Sequence, residues 1–420
     1  MSFQQGLSGL NATAKSLEVI GNNIANSATY GFKSSRAEFS DVYAAALNGA
    51  GTNQIGIGVN LSAVSQQFTQ GNILTTENPM DLAINGAGYF QLTDGNSPVV
   101  YSRNGQFKID RDGYIVNNDG LRLLGYPASG NGAIQPGAAT ALQLPTQGIN
   151  PQVTSTIKLE FNLDSRLATT APTSGPAIDY SDPTTYNNAT SMTVYDDKGQ
   201  DVALTYYFQK SGTDTWNVFL TANGTTVGGT TAAPLPVTTV TFPANGSAPT
   251  SPTGPVSINI PASTNAAGAT TLPIPNIQLD MTSATQYGTG FGVTNMTQNG
   301  YAPGQLSSIS IESNGVVTAR YSNGQSQPAG QIEVANFRNP QGLQPLGGNT
   351  WGRTFGSGDP ILGTPGNGNL GVLQAGALEE SNVDLTAELV NMITAQRIYQ
   401  ANAQTIKTVD QILQTLVNMR

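Results

Sequence analysis

The sequence predicts a multidomain α+β protein: terminal α-helices forming a coiled-coil-like inner domain, with two β-rich outer domains built by nested insertion. Three observations carry this reading. Apolar residues recur at helical spacing at the two ends. The middle alternates apolar and polar residues between Gly-containing turns. The chain's 420 residues exceed one domain of ordinary size, so two or three cores are expected.

At the N-terminus, Ser2 and Gln5 stand at capping-box spacing, with the Ser2 hydroxyl on the N3 amide and Gln5 reaching back. Leu7, Leu10, Ala14, Leu17 and Ile24 follow on one narrow stripe of a helix, suited to a coiled-coil seam. On the same wheel Asn22, Asn23 and Asn26 occupy the opposite arc, where side-chain amides can bond neighbouring helices and fix register. Gly31, after Tyr30, is the expected hinge at which the chain leaves the helix for an extended connector.

Strand and turn follow. Tyr101 to Tyr126 alternates around Asn-Gly and Asp-Gly turns, the strongest local hairpin signal. Ser191 to Gly224 repeats the pattern with Val194, Leu204, Tyr206, Phe208, Trp216 and Val218. A third β run spans Gln305 to Phe337. Thr225 to Thr271, rich in Thr, Pro, Ala and Gly, reads as long surface loops with at most edge strands.

The C-terminal helix is the longest element. Leu385, Met392, Tyr399, Ile406 and Leu413 stand seven apart, with Leu389, Gln396, Ala403, Asp410 and Val417 in the companion register. A second stripe of Ile398, Val409, Ile412, Leu416 and Met419 widens the face. Ser381, Asn382 or Asp384 can cap the helix. About 35 residues at 1.5 Å each make a rod of about 50 Å. Neither terminal helix can bury its stripe alone, so the two pair with each other or with other copies. The chain then nests. Residues 1–30 and 380–420 form the helical inner domain and 31–70 with 360–379 an extended connector. Residues 71–149 with 285–359 form a β-rich middle domain, and 150–284 a β-rich outer domain.

Composition removes several function classes. Charged residues make up only 10% of the chain, with 48 Gly and 24 Pro, against roughly 25% charged in an average soluble protein. A polar, weakly charged surface can pack on copies of itself without desolvating many ions. With 17 Lys and Arg against 26 Asp and Glu, and a net charge of -9, a nucleic-acid partner is not expected. Cys and His are both absent, which removes thiolate and imidazole metal sites and disulfides. GIGVNL at Gly56 and GAGYFQ at Gly86 lack the third glycine of a dinucleotide loop. DRDG at Asp110 has Tyr114 where a calcium loop needs its third oxygen ligand, so a hairpin turn is the better reading. No paired-carboxylate motif is recognisable. No enzyme, metal or cofactor is expected. No Sec-type leader pattern opens the chain and no run of about 18 apolar residues exists, so membrane insertion is not expected.

The segment from Leu7 to Phe39, with Asn-Asn-Ile-Ala-Asn at Asn22 to Asn26, resembles the axial proteins of the bacterial flagellum, the rod and hook family. Leu378 to Leu413 is similar to that family's C-terminal partner segment. The middle, Ser191 to Trp216 and Gly300 to Leu343, resembles the hook branch. The resemblance implies a structural subunit that polymerises into the curved hook tube, a flexible joint passing torque from rod to filament. It also implies localisation in the flagellar hook, outside the cell, after export without a cleaved signal peptide. The implied partners are other copies of the chain, the distal rod protein, the hook-filament junction protein, the hook cap protein, the hook-length control protein and the flagellar type III export apparatus. A distal rod subunit or a secreted adhesin or binding module is the alternative. On this reading Leu7, Leu10, Leu17, Asn22, Asn23, Ile24, Asn26, Leu385, Leu389, Met392, Tyr399, Ile406 and Leu413 form the assembly interface.

Overall fold

A computed structural model of the chain describes residues 2–42, 56–130, 132–146, 148–172 and 177–418. The side chains of Ser2, Leu416 and Val417, and all of Met419, lie outside the described set, and with them the expected Ser2 cap and the end of the second stripe.

Helix α1 runs Ser2–Ala25 and helix α2 Leu385–Asn418, with strands between them. The chain forms two compact units, one of residues 1–146, 307–320 and 326–420, the other of 147–306 and 321–325. This corrects the expected division on two counts. The helical ends, the connector and the middle β domain are one unit rather than three. The inserted unit ends after Leu306, not at residue 284, because strand Gly292–Gln298 pairs with Thr156–Asn162 inside it.

In the first unit α1 and α2 lie antiparallel: a Cβ on Gly6 would meet Ile406 at 3.1 Å and one on Gly9 would meet Asn402 at 2.9 Å, while Asn23 bonds Glu388. Strands β1 (Ser35–Val42) and β2 (Gly58–Gln66) form an antiparallel hairpin. It is tied to α1 by Gln5 Nε2 donating to Gly56 O at 2.7 Å and Val59 N–H donating to Ser8 Oγ at 3.3 Å. Gln5 thus bonds the hairpin through its amide nitrogen. The connector is therefore not a single extended segment. After β2 the chain enters a large mixed-length sheet whose core is Leu82, Ile84, Phe90, Leu92, Phe107, Ile115, Leu123, Ile332 and Val334. A second, aromatic cluster of Tyr89, Tyr101, Phe337 and Trp351 receives Phe68 from the end of the connector, 5.7 Å from Trp351. Edge-to-face rings such as these add to the gain from area burial. At Asp110 the carboxylate accepts the Asp112 and Tyr114 amides, so DRDG is a hairpin turn.

In the second unit a four-stranded and a five-stranded sheet share one core containing Phe161, Tyr206, Phe208, Trp216, Ile277 and Leu279. Strand Asp201–Lys210 buries alternate residues over its first half, as the pattern requires. Thr225 to Thr271 carries only edge strands in these sheets among the described residues, as expected, but it is not confined to the surface: Thr238–Thr241 and Val256–Ile260 each pair on one side with a core strand, and Val240, Phe242, Ile258 and Ile260 are buried. The passes that enter and leave this unit run side by side, bridged at Ile149 with Gly304 and at Gln152 with Tyr301.

One buried carboxylate stands in the first unit with no cation bonded to it among the described residues. Glu333 accepts Gln91 Nε2 at 2.7 Å and Tyr126 Oη–H at 2.6 Å. Burial first, then this carboxylate, push Tyr126 up to about 12. Replacing Tyr126 by Phe takes away one of the two donors, and a buried acceptor left short of a partner costs about 1 to 3 kcal/mol. Urea unfolding should show a lower midpoint with the slope unchanged.

Candidate assembly site

Along α1 the residues most buried by the chain itself are Gly6, Thr13 and Ile20, seven apart, joined by Asn23. On α2 Ala395 is buried, and Glu388, Met392, Asn402, Ala403, Ile406 and Val409 are half-buried, with Ile406 against Gly6. On α1 the seam lies one residue before the expected apolar register, a rotation of about 100°. On α2 Met392 and Ile406 of the expected register are half-buried and Ile406 packs on Gly6, so the expected register is only partly the intrachain seam. Small residues let the two helices approach closely, and Ile406 and Asn402 fill the space that the glycines leave.

Most of the expected assembly residues stay outside. Leu7, Leu385, Leu389, Tyr399 and Leu413 are 38% to 52% exposed. Leu10, Leu17, Ile24 and Met392 are half-buried, and of the set Ile406 and Asn23 join the seam. Val390, Ile393, Ile398 and Ile412 widen the exposed apolar surface of α2. Asp384 caps α2 by accepting the Ala387 amide at 3.1 Å.

The asparagines do not form one face. Asn22 and Asn26 bond each other within the last turn of α1, Asn26 Nδ2 donating to Asn22 O at 2.9 Å. Asn23 is 1% exposed. Its Oδ1 accepts the Ser35 amide and its Nδ2 donates to Ser35 O, both at 2.8 Å, while the second Nδ2 hydrogen reaches Glu388 Oε1 at 3.0 Å. One amide thus binds α1, β1 and α2 together. Asn382 does the same to the next residue back, accepting the Ser34 amide at 2.7 Å and donating to Gln67 O at 2.7 Å and Thr69 Oγ1 at 2.8 Å.

Gly31 turns the chain with φ at +71°, but it is not a free hinge: a Cβ there would lie 2.5 Å from the Asn104 nitrogen. Its amide donates to Glu379 O at 2.8 Å, and Asn349 Nδ2 donates to Tyr30 O at 2.9 Å. Two residues on, Lys33 enters the interior. Its ammonium donates to Glu379 Oε1 at 2.5 Å and to Thr69 O at 2.7 Å. Glu379 also accepts Arg103 Nη1 at 2.9 Å and the Gly71 amide at 2.9 Å. Burial pulls Lys33 below its usual range, and Glu379 acts against that. Arg103 lies over the Tyr89 ring, 5.4 Å from its centroid. Burial pushes Tyr89 up to about 12, with Arg103 opposing. Sequence reading missed Lys33, Arg103 and Glu379, and with them the bond of Glu388 to Asn23. The usable signal was a charge set inside short apolar runs, as in GFKSS and ALEES.

The chain matches four family models: "Flagella basal body rod protein" over residues 3–33, "Flagellar hook protein FlgE/F/G D1 domain" over 83–158, "Flagellar basal body protein FlaE D2 domain" over 162–301 and "Flagellar basal body rod FlgEFG protein C-terminal" over 374–419. It is 44% identical to the flagellar hook protein FlgE of Escherichia coli (strain K12) over 428 residues, covering 100% of both chains. It is 33% identical to that of Treponema pallidum (strain Nichols), covering 100% of this chain and 99% of the relative. The crystal structure of Helicobacter pylori flagellar hook protein FlgE2 superposes with a TM-score of 0.53 at 16% identity, covering 73% of this chain and 100% of that one.

Replacing Glu379 by Gln leaves two buried cations without their carboxylate, and breaking a buried pair in this way costs about 3 to 5 kcal/mol. Thermal or urea unfolding of the dilute protein measures it. Asn23→Leu should keep helix content by circular dichroism while loosening the contact of α1 with β1 and α2. Alkaline pH gives a further check. The Tyr89 phenol ionises near 10 in the unfolded chain and near 12 when folded, so its contribution is fully present below pH 10 and is lost as pH rises from 10 to 12. Relative to Tyr89→Phe, the unmodified protein should lose about 3 kcal/mol across that window.

Proposed function

The chain belongs to the flagellar hook protein family, and on that premise we propose that its two terminal helices are the surface by which each hook subunit joins its neighbours. As a member of this family it is a structural subunit of the flagellum, polymerising with itself and associating with other flagellar components. The observation that carries the proposal is the division of labour on the helices. The intrachain seam is built from Gly6, Thr13, Ala395 and Asn402, which leaves Leu7, Leu385, Leu389, Tyr399 and Leu413 outside. Exposed apolar residues in a continuous row mark an interaction surface. A contact between unlike surfaces that does not close a ring generates a helical tube from one subunit.

The interface we propose comprises Leu7, Leu10, Leu17, Ile24, Leu385, Leu389, Met392, Tyr399 and Leu413. Asn22 stands in the last turn of α1 and Asn26 in the turn just after it, and Asn23 and Ile406 act from inside by fixing how the two helices sit. Each apolar side chain buried on assembly is worth about 1.5 to 3 kcal/mol before ordering is counted. The inserted β unit, weakly charged, suits contacts that exchange hydrogen bonds as the tube bends, since few desolvated ion pairs have to break. This reading assigns catalysis and cofactors no part in the protein's work. The proposed further partners are the distal rod, hook cap, hook-filament junction and length-control proteins and the export apparatus.

Changing Leu385 and Leu389 together to Asn tests the interface. Both are exposed in the single subunit, so its stability should move by no more than about 0.5 kcal/mol. Electron microscopy should show tubes for the unmodified protein and none for the variant. Normal tubes from the variant would remove this face from the interface.

A further inference from the structure

Phe355 differs from the other exposed apolar residues of the first unit. Its side chain is fully exposed, yet the loop that carries it is tied down on both sides of the ring. Thr354 Oγ1 donates to Gly342 O at 2.5 Å and accepts the Gly356 and Ser357 amides at 3.0 and 3.2 Å. Ser357 is buried, and its Oγ donates to Thr354 O at 2.9 Å. Asn339 Nδ2 donates to Gly356 O at 2.9 Å, and an ion pair of Arg353 with Asp359 closes the base of the loop. A single apolar side chain on a surface is ordinary. Here both neighbours of the ring are held in place, so the ring stays in water unless another surface covers it.

The same unit carries a cavity of about 230 Å³ lined by Phe68, Gly86, Gly88, Tyr89, Asn336 and Pro340. A cavity of about 150 Å³ is enough to take a benzene ring. Phe68 and Tyr89 already meet edge to face with centroids 6.2 Å apart, the arrangement that a further ring can extend. Gly86 and Gly88 put no side chain in its way. Beside the cavity lies an unpaired sheet edge. Strand Ile361–Gly363 pairs with Val334–Asn336 alone among the described residues, with Ile361 opposite the cavity residue Asn336. Ile361 and Leu362 are each about half exposed. Asn339, which holds Gly356, is next in sequence to Pro340 of the cavity wall. Ring, cavity and apolar edge therefore belong to one region, and grouped apolar surface of this kind marks a contact site where scattered residues do not.

We propose that Phe355 of one copy enters the Phe68 and Tyr89 cavity of a second copy, and that the same contact covers Ile361 and Leu362. The occupant is a second copy because the family polymerises with itself and because the chain carries both halves of the contact, an aromatic ring held outward and an aromatic cavity of sufficient size. The ring and the cavity are different surfaces, so each copy gives a ring to one neighbour and receives one from another. Such a contact extends without closing. It rests on self-assembly of the chain and not on the terminal-helix interface proposed above.

Two measurements on the full chain test it. Phe355→Ser should leave the urea midpoint of the dilute protein unmoved and raise the concentration needed for tube assembly by about tenfold or more. Assembly at the unmodified concentration overturns the proposal, and so does a lowered midpoint, which would mean that the ring packs within its own chain. The second measurement locates the contact. Phe355 is replaced by the photo-crosslinker p-benzoylphenylalanine, ¹⁵N-labelled and unlabelled copies are mixed and irradiated, and mass spectrometry selects crosslinks that join a labelled to an unlabelled peptide. Crosslinks to peptides containing Phe68, Tyr89 or Pro340 support the proposal. Crosslinks between copies that are confined to other segments, or none at all, overturn it. If the unmodified chain forms no tubes, the helix-interface reading is what has failed, and crosslinking of the concentrated soluble chain decides this contact by the same outcomes.

Discussion

Everything in the first unit converges on one carboxylate. Glu379 accepts from Lys33, Arg103 and the Gly71 amide, and its own backbone oxygen takes the Gly31 amide. Four separate stretches of chain therefore meet at a group that water does not reach. A buried ion cluster is a poor source of net stability, because desolvating the charges cancels most of their attraction. Its effect is one of specificity. Any arrangement that misplaces Lys33 or Arg103 leaves a bare charge inside, so alternatives to this packing are strongly disfavoured. The aromatic cluster around Tyr89 and Trp351 supplies the apolar burial that the ions do not.

Around that point the two asparagines act as rivets. Asn23 and Asn382 hold the backbones of Ser35 and Ser34, consecutive residues, from the end of α1 and the start of α2. The turn at Gly31, the buried lysine and the paired serines explain why an amphipathic helix ends on Tyr-Gly-Phe-Lys-Ser-Ser. The segment is a lock between the helices and the sheet. Compliance, where the family function asks for it, has to come from elsewhere: from contacts between copies or from the weakly charged inserted unit.

Sequence periodicity revealed the helical ends and the β middle because those signals are local. It also gave the right seven-residue repeat on both helices. A wheel distinguishes apolar from polar rows but cannot say which partner each row meets, so it left open whether the apolar rows pair within the chain or between copies. Here the leucine row faces away from the chain's own seam, and the glycine, alanine and asparagine row faces into it. Thr225 to Thr271 does carry edge strands, but its share in the core was missed for a different reason: its buried Val240, Phe242, Ile258 and Ile260 are spaced out among Thr, Pro and Ala, which dilutes the alternation. Which residues pair in the ion cluster was illegible from local pattern. Arg103 and Glu379 are 276 residues apart and Lys33 and Glu379 are 346 apart, and no window of local pattern spans such a distance.

That separation also fixes an order of events. A chain emerging from one end presents α1, the hairpin and Lys33 first, but the carboxylate they need arrives only with residue 379 and the Asn23 acceptor on α2 only with residue 388. Closing a loop of this length adds little free energy beyond that for a shorter one, yet it cannot happen before both ends exist. The inserted unit, whose entering and leaving strands pair with each other, is complete by residue 325, with its short return at 321–325. The first segment to appear is thus among the last to be fastened, and an incomplete chain carries its leading helix unlocked for as long as its tail is missing.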